Sequence, residues 1–312
     1  MRTVRRVVAL LALACGCAAK PPASPPVAPP LLEEPALALP ADLDLVLRLD
    51  LRRLRAALGV EAESLLERLG QAAPADEPDA ETARVLLSLF TRADTLWIGV
   101  RPGLSPELTD GVVALRGDFR GVVPTTIGGA PRWSSGRDIG GGVVRFERDA
   151  PRLRGAPAVI YLRLPDVVVV GSVAEIDALE RGIEQRAPDV PLRAPERGLI
   201  AAAARLRGLR QKLSQRAPML AGYLDGAERL EASFDREGDV FRLRVDVAFE
   251  AASQATSLVK ELRALQDRLR GEGHAWIDKF SFEPLEQNVA ISLALRQDEL
   301  LMLVRCFSRQ GC

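Results

Sequence analysis

Histidine is almost missing from this chain of 312 residues, in which His274 is the only one. A single imidazole cannot build a multi-histidine metal site, and any Ser-His-Asp mechanism would depend on it alone. His274 follows Gly271-Glu272-Gly273, a sequence typical of the loop that ends a helix. The sequence also lacks the G-x-S-x-G motif of many serine hydrolases. We therefore predict no catalytic residues, no metal ligands and no cofactor.

The chain has no excess of charge of either sign, because 42 Lys and Arg residues balance 42 Asp and Glu residues. A protein that binds nucleic acid normally carries a basic excess that neutralises phosphates. The composition therefore predicts no nucleic-acid partner. Aromatic residues make up only 4% of the chain, which leaves few platforms on which sugar rings could stack.

The chain also has no apolar run of the roughly 20 residues that a membrane-spanning helix needs. Its longest apolar segment near the start, residues 7–14, has the length of the apolar core of a signal peptide. Arg2, Arg5 and Arg6 precede this segment, and Cys15-Gly16-Cys17 follows it. The pattern predicts an export signal.

These residues resemble the signal peptide and lipobox of bacterial lipoproteins. In that family a cysteine is acylated and becomes the first residue of the mature protein. The resemblance implies a signal peptide over residues 1–17, lipidation of Cys17 or of Cys15, and a membrane as partner. The absence of Asp after the cysteine implies an outer-membrane lipoprotein of the cell envelope that faces the periplasm. The alternative is a plain secretory signal peptide whose cysteine carries no lipid.

Residues 18–40 are rich in Pro and Ala, with the pairs Pro21-Pro22, Pro25-Pro26 and Pro29-Pro30. Proline favours the extended polyproline II conformation, which rises about 3.1 Å per residue. We therefore expect this segment to be a linker that holds a folded domain away from an anchor.

Two further cysteines, Cys306 and Cys312, lie near the C-terminus. In an exported protein such a pair suggests a disulfide bond. The alternative is a buried Cys306 beside a free thiol at Cys312.

The remaining sequence predicts an α+β fold of mainly antiparallel sheets with helices packed on one face. Leu43, Leu45, Leu47 and Leu49 alternate with polar or charged residues, a period of two that predicts a strand with Asp42 and Asp44 on its solvent side. Further strands with short connections are predicted downstream. Ser172 and Ser253 are predicted to cap two of the helices.

An internal similarity predicts two diverged β-α-β-β modules, over residues 41–190 and 191–312. The segment that starts at Leu51 (LRRLR) matches the one that starts at Leu206 (LRGLR), each at a strand-to-helix junction. Leu115-Arg116-Gly117-Asp118 matches Leu243-Arg244-Val245-Asp246 in the same order. Chance is the alternative, because Leu and Arg are abundant throughout the chain.

The matched strands contribute charged residues to what we expect to be an open sheet face. This interaction face comprises Arg116, Asp118, Arg242, Arg244 and Asp246. It either binds an envelope protein or holds cross-strand ion pairs that keep the sheet soluble. The leading hypothesis is a lipid-anchored envelope protein with a non-catalytic binding or scaffolding domain. The alternative is an envelope hydrolase that uses carboxylates, with glycans as candidate substrates.

Overall fold

The structure, a computed structural model, describes most of the chain from Glu34 onward. The described ranges are 34–58, 80–101, 110–120, 127–130, 132–149, 156–184, 192–216, 218–273 and 275–299.

The described residues form twelve strands and six α-helices. The strands are β1 Leu45–Asp50, β2 Ala93–Arg101, β3 Asp110–Gly117, β4 Arg137–Asp138, β5 Val143–Glu147, β6 Pro157–Arg163, β7 Val167–Ser172, β8 Ile200–Arg205, β9 Ala227–Glu237, β10 Val240–Phe249, β11 Phe280–Leu285 and β12 Asn288–Arg296. The helices are α1 Leu51–Leu58, α2 Ala80–Arg92, α3 Ile176–Leu179, α4 Leu206–Arg216, α5 Pro218–Tyr223 and α6 Ala252–Gly271.

All of these strands belong to one antiparallel sheet in the order β11-β12-β10-β9-β8-β1-β2-β3-β7-β6-β5-β4. The centre of the sheet is the pairing of β1 with β8, in which Leu45 lies opposite Ala204 and Leu49 lies opposite Ile200. Strands of the first half of the chain lie on one side of this pair, and strands of the second half lie on the other.

One face of the sheet, which we call the helical face, carries apolar side chains along its whole width. In the first half, Leu96 and Leu115 of the sheet pack with Leu89 of α2. In the second half, Val247 packs with Leu258 and Val259 of α6. The period-two alternation of the strands places these side chains on one side, where the helices bury them.

The opposite face differs between the two halves. In the first half it is apolar and is covered by a segment that we call the strap, residues 34–43, together with α3 and residues 192–194. Leu39 and Leu43 of the strap are buried there with Val112 and Tyr161 of the sheet. We call this side of the sheet the strap face.

In the second half, no described element covers the strap face, and most of its side chains are polar or small. Arg242 and Arg244 of β10 are exposed there, as are Ser281 and Ser292 on the neighbouring strands. We call this surface the open face.

The prediction of an α+β fold with antiparallel pairing is confirmed. The strands form one continuous sheet, and α3 is the exception to the rule that helices pack on one face. Each half also has β-α-β-β topology: α1 begins directly after β1, α4 begins directly after β8, and a hairpin follows in each case.

Several local expectations need correction. Leu43 lies before the first strand and is fully buried against the strap face, while Asp42 and Asp44 lie in the turn that leads into β1 rather than along it. Ser172 does not cap the helical turn after it, because its hydroxyl accepts the Gly111 N–H at 3.2 Å. Ala251 rather than Ser253 is the N-cap of α6, and its N–H donates to the side-chain oxygen of Gln254.

Residues 34–40, which composition assigns to the linker, are placed within the folded domain. Pro35, Ala38 and Leu39 are buried. The packed part of the chain therefore begins before residue 41.

Gly99 of β2 explains how the strap can lie close to the sheet. A Cβ at this position would be 2.3 Å from Leu43 Cδ1 and 3.4 Å from Leu39 Cδ2. Because Leu43 is fully buried, it has no free space into which it could move.

We therefore predict that Gly99→Ala lowers the free energy of unfolding by about 1–3 kcal/mol, the usual cost of overpacking a core. Gly222→Ala is the control, because a Cβ at Gly222 meets nothing within 4 Å. Urea unfolding followed by circular dichroism measures both changes. Equal stability of Gly99→Ala and the wild type would contradict the packing described for the strap.

Candidate functional site: a groove beside the open face

A groove of about 560 Å³ lies on the strap face where the covered half meets the open half. The strap and residues 192–196, which pack on this face of the sheet, form its walls, and strands β1, β2, β3 and β9 form its floor. Its size is within the range of small-ligand sites. Its lining residues are Glu34, Pro35, Ala36, Leu39, Val46, Arg48, Thr95, Trp97, Arg116, Leu192, Arg193, Ala194, Pro195, Glu196 and Glu231.

The floor of the groove combines hydrogen-bond donors with apolar surface. Arg48 of β1 lies directly opposite Trp97 of β2 in the sheet register, and Thr95 lies two residues from Trp97 on the same face. Val46 is buried beside them. The guanidinium, the indole N–H and the hydroxyl thus belong to adjacent positions on two paired strands.

Arg48 is held in place by two contacts. Its Nη1 donates to the Gly198 carbonyl at 3.3 Å. Its Nη2 lies 3.9 Å from Asp50 Oδ2, and both side chains are about 15% exposed. Asp50 is itself fixed because it accepts the Arg53 N–H at 2.9 Å as the N-cap of α1. A guanidinium has five N–H donors, so most of those of Arg48 are not used by these two contacts.

Carboxylates also line the groove. Glu34 forms an ion pair with Arg193 at 3.6 Å, and Glu231 forms one with Arg229. Glu196 is exposed. With Arg48, Arg116 and Arg193, the lining therefore carries as many cations as acids.

The open face next to the groove carries ion pairs along its strands. Arg244 Nε contacts Asp246 Oδ2 at 2.9 Å, and Arg242 Nε contacts Glu237 Oε2 at 2.7 Å. Both pairs are largely exposed, so each contributes little to stability. They fix the positions of charges of both signs on this surface.

The structure separates the residues of the predicted interaction face. Arg242, Arg244 and Asp246 lie together on β10, and Arg116 lines the groove on β3. Four strands separate β10 from β3, which at about 4.8 Å per strand step is about 24 Å. Asp118 lies beyond the end of β3, where Arg120 bonds it at 2.6 Å and lowers the pKa of its carboxyl to about 2.

Sequence reasoning missed Arg48, Thr95 and Trp97 as candidate site residues. A signal was present in the sequence, because Thr95 and Trp97 are two residues apart and would share one face of a strand. The strap belongs to a segment that composition assigns to the linker, residues 192–196 are also rich in proline, and no local pattern indicates that either segment packs on the sheet.

A buried ion cluster fixes the strap to the body of the domain. Arg101 at the end of β2 contacts Glu175 through two bonds, Nε–Oε1 at 2.6 Å and Nη2–Oε2 at 3.2 Å. The same guanidinium bonds the carbonyl and carboxylate of Asp42. The hydrogen bond that Arg101 donates to Asp42 lowers the pKa of that carboxyl, and the hydrogen bonds that it donates to Glu175 raise the pKa of Arg101. Glu175 is completely buried.

A second cluster holds the turn that follows α3. Arg145 contacts Glu180 at 2.5 Å and Glu184 at 2.6 Å, and the Tyr161 hydroxyl donates to Glu184 at 3.2 Å. Burial raises the pKa of Tyr161. Arg137 also contacts Glu184, at 3.8 Å. None of these residues lines the groove.

Several predicted residues lie outside the described part of the chain. They are Cys15, Cys17, His274, Cys306 and Cys312. Among the described residues, no group of three or more His, Cys, Asp or Glu is placed to hold a metal ion. No described helix has the length and apolar character needed to cross a membrane.

Comparison with known proteins gives little further guidance. No protein-family model matches the chain, and no curated protein matches it. The chain is similar to solved structures of TP0453. Crystal form I is 10% identical with a TM-score of 0.46, and crystal form III is 9% identical with a TM-score of 0.45; each match covers 86% of this chain and 96% of that one.

The contribution of the ion pair between Arg101 and the buried Glu175 to stability can be tested by substitution. Arg101→Met leaves the Glu175 carboxylate buried without its cation, so we expect a loss of about 3–5 kcal/mol in the free energy of unfolding. Arg101→Met/Glu175→Gln should recover a large part of this loss, because the buried charge is then absent. Arg207→Met is the control, since Arg207 is 84% exposed and its ion pair with Glu250 is long at 3.6 Å. A small effect of Arg101→Met, measured by urea unfolding at pH 7, would contradict a role in stability.

Proposed function

We propose that this protein is a lipid-anchored component of the bacterial cell envelope whose α+β domain binds another envelope component without catalysis. The observation that carries the binding role is the open face. A continuous sheet has helices along the whole of one face, yet half of its other face is covered by no described element.

The charges on the open face support a protein partner. Arg229, Arg242 and Arg244 are interspersed with Glu231, Glu237 and Asp246 on two adjacent strands. Patterned charge of both signs gives specificity and orientation to an association. A surface with no net excess of charge favours a partner with a complementary pattern rather than a polyanion.

The anchor supports the location. The lipobox-like sequence and the Pro-rich linker lead into the strap, which enters the domain on the strap face beside the groove. A linker at this point would place the strap face within reach of other components of the same envelope.

The carboxylate-dependent hydrolase stays a second hypothesis that no specific observation favours. Asp110 and Glu175 are the buried acids among the described residues. Asp110 contacts Ser172 at 3.4 Å and Glu175 is paired with Arg101, and neither residue lines the groove.

Lipid attachment is tested by metabolic labelling. We expect the full-length chain, expressed in a bacterium with an alkyne analogue of palmitate, to incorporate the label. Cys15→Ala/Cys17→Ala should abolish labelling, and the two single variants identify the acylated residue. Cys306→Ala/Cys312→Ala is the control and should keep the label. Wild-type protein without label, or a labelled double variant, would refute the anchor.

The open face is tested by exchanging the members of an ion pair. Arg244→Asp/Asp246→Arg keeps the local pair and the net charge but reverses the pattern that a partner meets. We expect capture of the partner from envelope extract to fall at least tenfold, with an unchanged melting temperature. Pull-down with the mature protein and quantitative mass spectrometry measure this.

The matched control is the same exchange at the pair beyond β3, Asp118→Arg/Arg120→Asp, which should leave capture unchanged. Loss of capture in this variant, with normal capture by the β10 variant, would exclude the open face as the binding surface.

A further inference from the structure

The groove has chemical features that the open face does not share. Its floor presents a cation that is about 14% exposed, an indole N–H and a hydroxyl, all on the same face of adjacent strands. On the open face, by contrast, Arg242 and Arg244 are 57% and 63% exposed and each is bonded to its own carboxylate.

Arg48 is pre-organised to bind an acceptor. The Gly198 carbonyl contacts Nη1 and the Asp50 carboxylate lies near Nη2, so the position of the guanidinium is set before any ligand arrives. The remaining N–H groups of a fixed guanidinium suit the two oxygens of a carboxylate. Little side-chain entropy remains to be lost when such a group binds.

The indole N–H of Trp97 and the hydroxyl of Thr95 make no hydrogen bond within the described chain and line the same groove as Arg48. Together these three groups offer donors to an anion from two strands. The lining carries three arginines, Arg48, Arg116 and Arg193, and three acids, Glu34, Glu196 and Glu231. This balance opposes a ligand of high negative charge and favours one that carries a single negative charge.

Apart from Arg116 and Arg193, the rest of the lining is apolar. Ala36 of the strap, Pro195 and the Trp97 ring are half-buried, and the buried Leu39, Leu192 and Val46 line the same space. A ligand that puts one carboxylate at Arg48 can place an aliphatic group against these side chains, whose burial stabilises the complex in proportion to the apolar area removed from water.

We propose that this groove binds a monocarboxylate that carries an aliphatic group, through Arg48, Trp97 and Thr95. The carboxylate belongs either to a free short-chain acid or to the C-terminus of a peptide that ends in an aliphatic residue. This inference rests on the proposed binding function and names the ligand chemistry of the groove.

Four probes separate the sources. They are 4-methylpentanoate and its amide, and the peptide acetyl-Ala-Ala-Leu as free acid and as C-terminal amide. Isothermal titration calorimetry with the purified mature protein should show saturable binding of at least one acid, and binding of its amide at least tenfold weaker. Binding of the small acid identifies a free-acid site, whereas binding of the peptide acid alone identifies a C-terminus site. Equal binding of acid and amide, or binding of neither acid, overturns the proposal.

Variants locate the site. Arg48→Gln should weaken the acid at least tenfold, and Trp97→Phe and Thr95→Val should each weaken it several-fold. Arg207→Gln makes the same change at an arginine that is 84% exposed and lies outside both the groove and the open face, and it should bind normally. Because Arg48→Gln could lower stability, its melting temperature is measured, and Trp97→Phe tests the groove independently. Normal binding by both Arg48→Gln and Trp97→Phe overturns the assignment.

The two proposals can fail separately. If capture of an envelope partner depends on Arg244 and Asp246 but no acid binds, only the groove assignment falls. If an acid binds and depends on Arg48 while exchange of the Arg244–Asp246 pair has no effect on capture, only the role of the open face falls.

Discussion

The pairing of β1 with β8 is the interaction on which the rest of the structure depends. Five residue pairs, from Leu45–Ala204 to Leu49–Ile200, join the two halves of the chain into one sheet. The register also decides which side chains lie on each face of the sheet. A slip by one residue would move every side chain of the shifted strands to the opposite face. Contacts from α1 add to this connection: Arg53 bonds Asp235, and Arg236 donates to the Ala57 carbonyl at 2.6 Å.

The two faces of the joined sheet differ in how they are covered. Helices cover both halves of the helical face, but the strap and α3 cover only the first half of the strap face. The first half has apolar side chains beneath that cover, and the second has charges of both signs. The groove lies at the boundary, where the strap and residues 192–196 meet β1, β2 and β3.

The α+β class, the antiparallel pairing and the strand-to-helix junctions at Leu51 and Leu206 could be predicted from the sequence, because period-two and helical patterns are local. The covering segments could not. The segments around Leu39 and Leu192 have a composition typical of linkers, and their burial depends on long-range packing such as the contact that Gly99 permits with Leu43. Arg48, Thr95 and Trp97 could be assigned to one face of the sheet only once the register between β1 and β2 was known. Asp118 could not be placed because its strand ends one residue earlier.

The central claim is that the open face meets the partner in the envelope. The most direct measurement is photocrosslinking in cells that produce the full-length protein with p-benzoylphenylalanine at one position. Ser292 lies on the open face, and Lys260 is exposed on α6 behind the opposite face. We predict a discrete cross-linked product from position 292 and none from position 260. A product from position 260, with none from position 292, would contradict the claim.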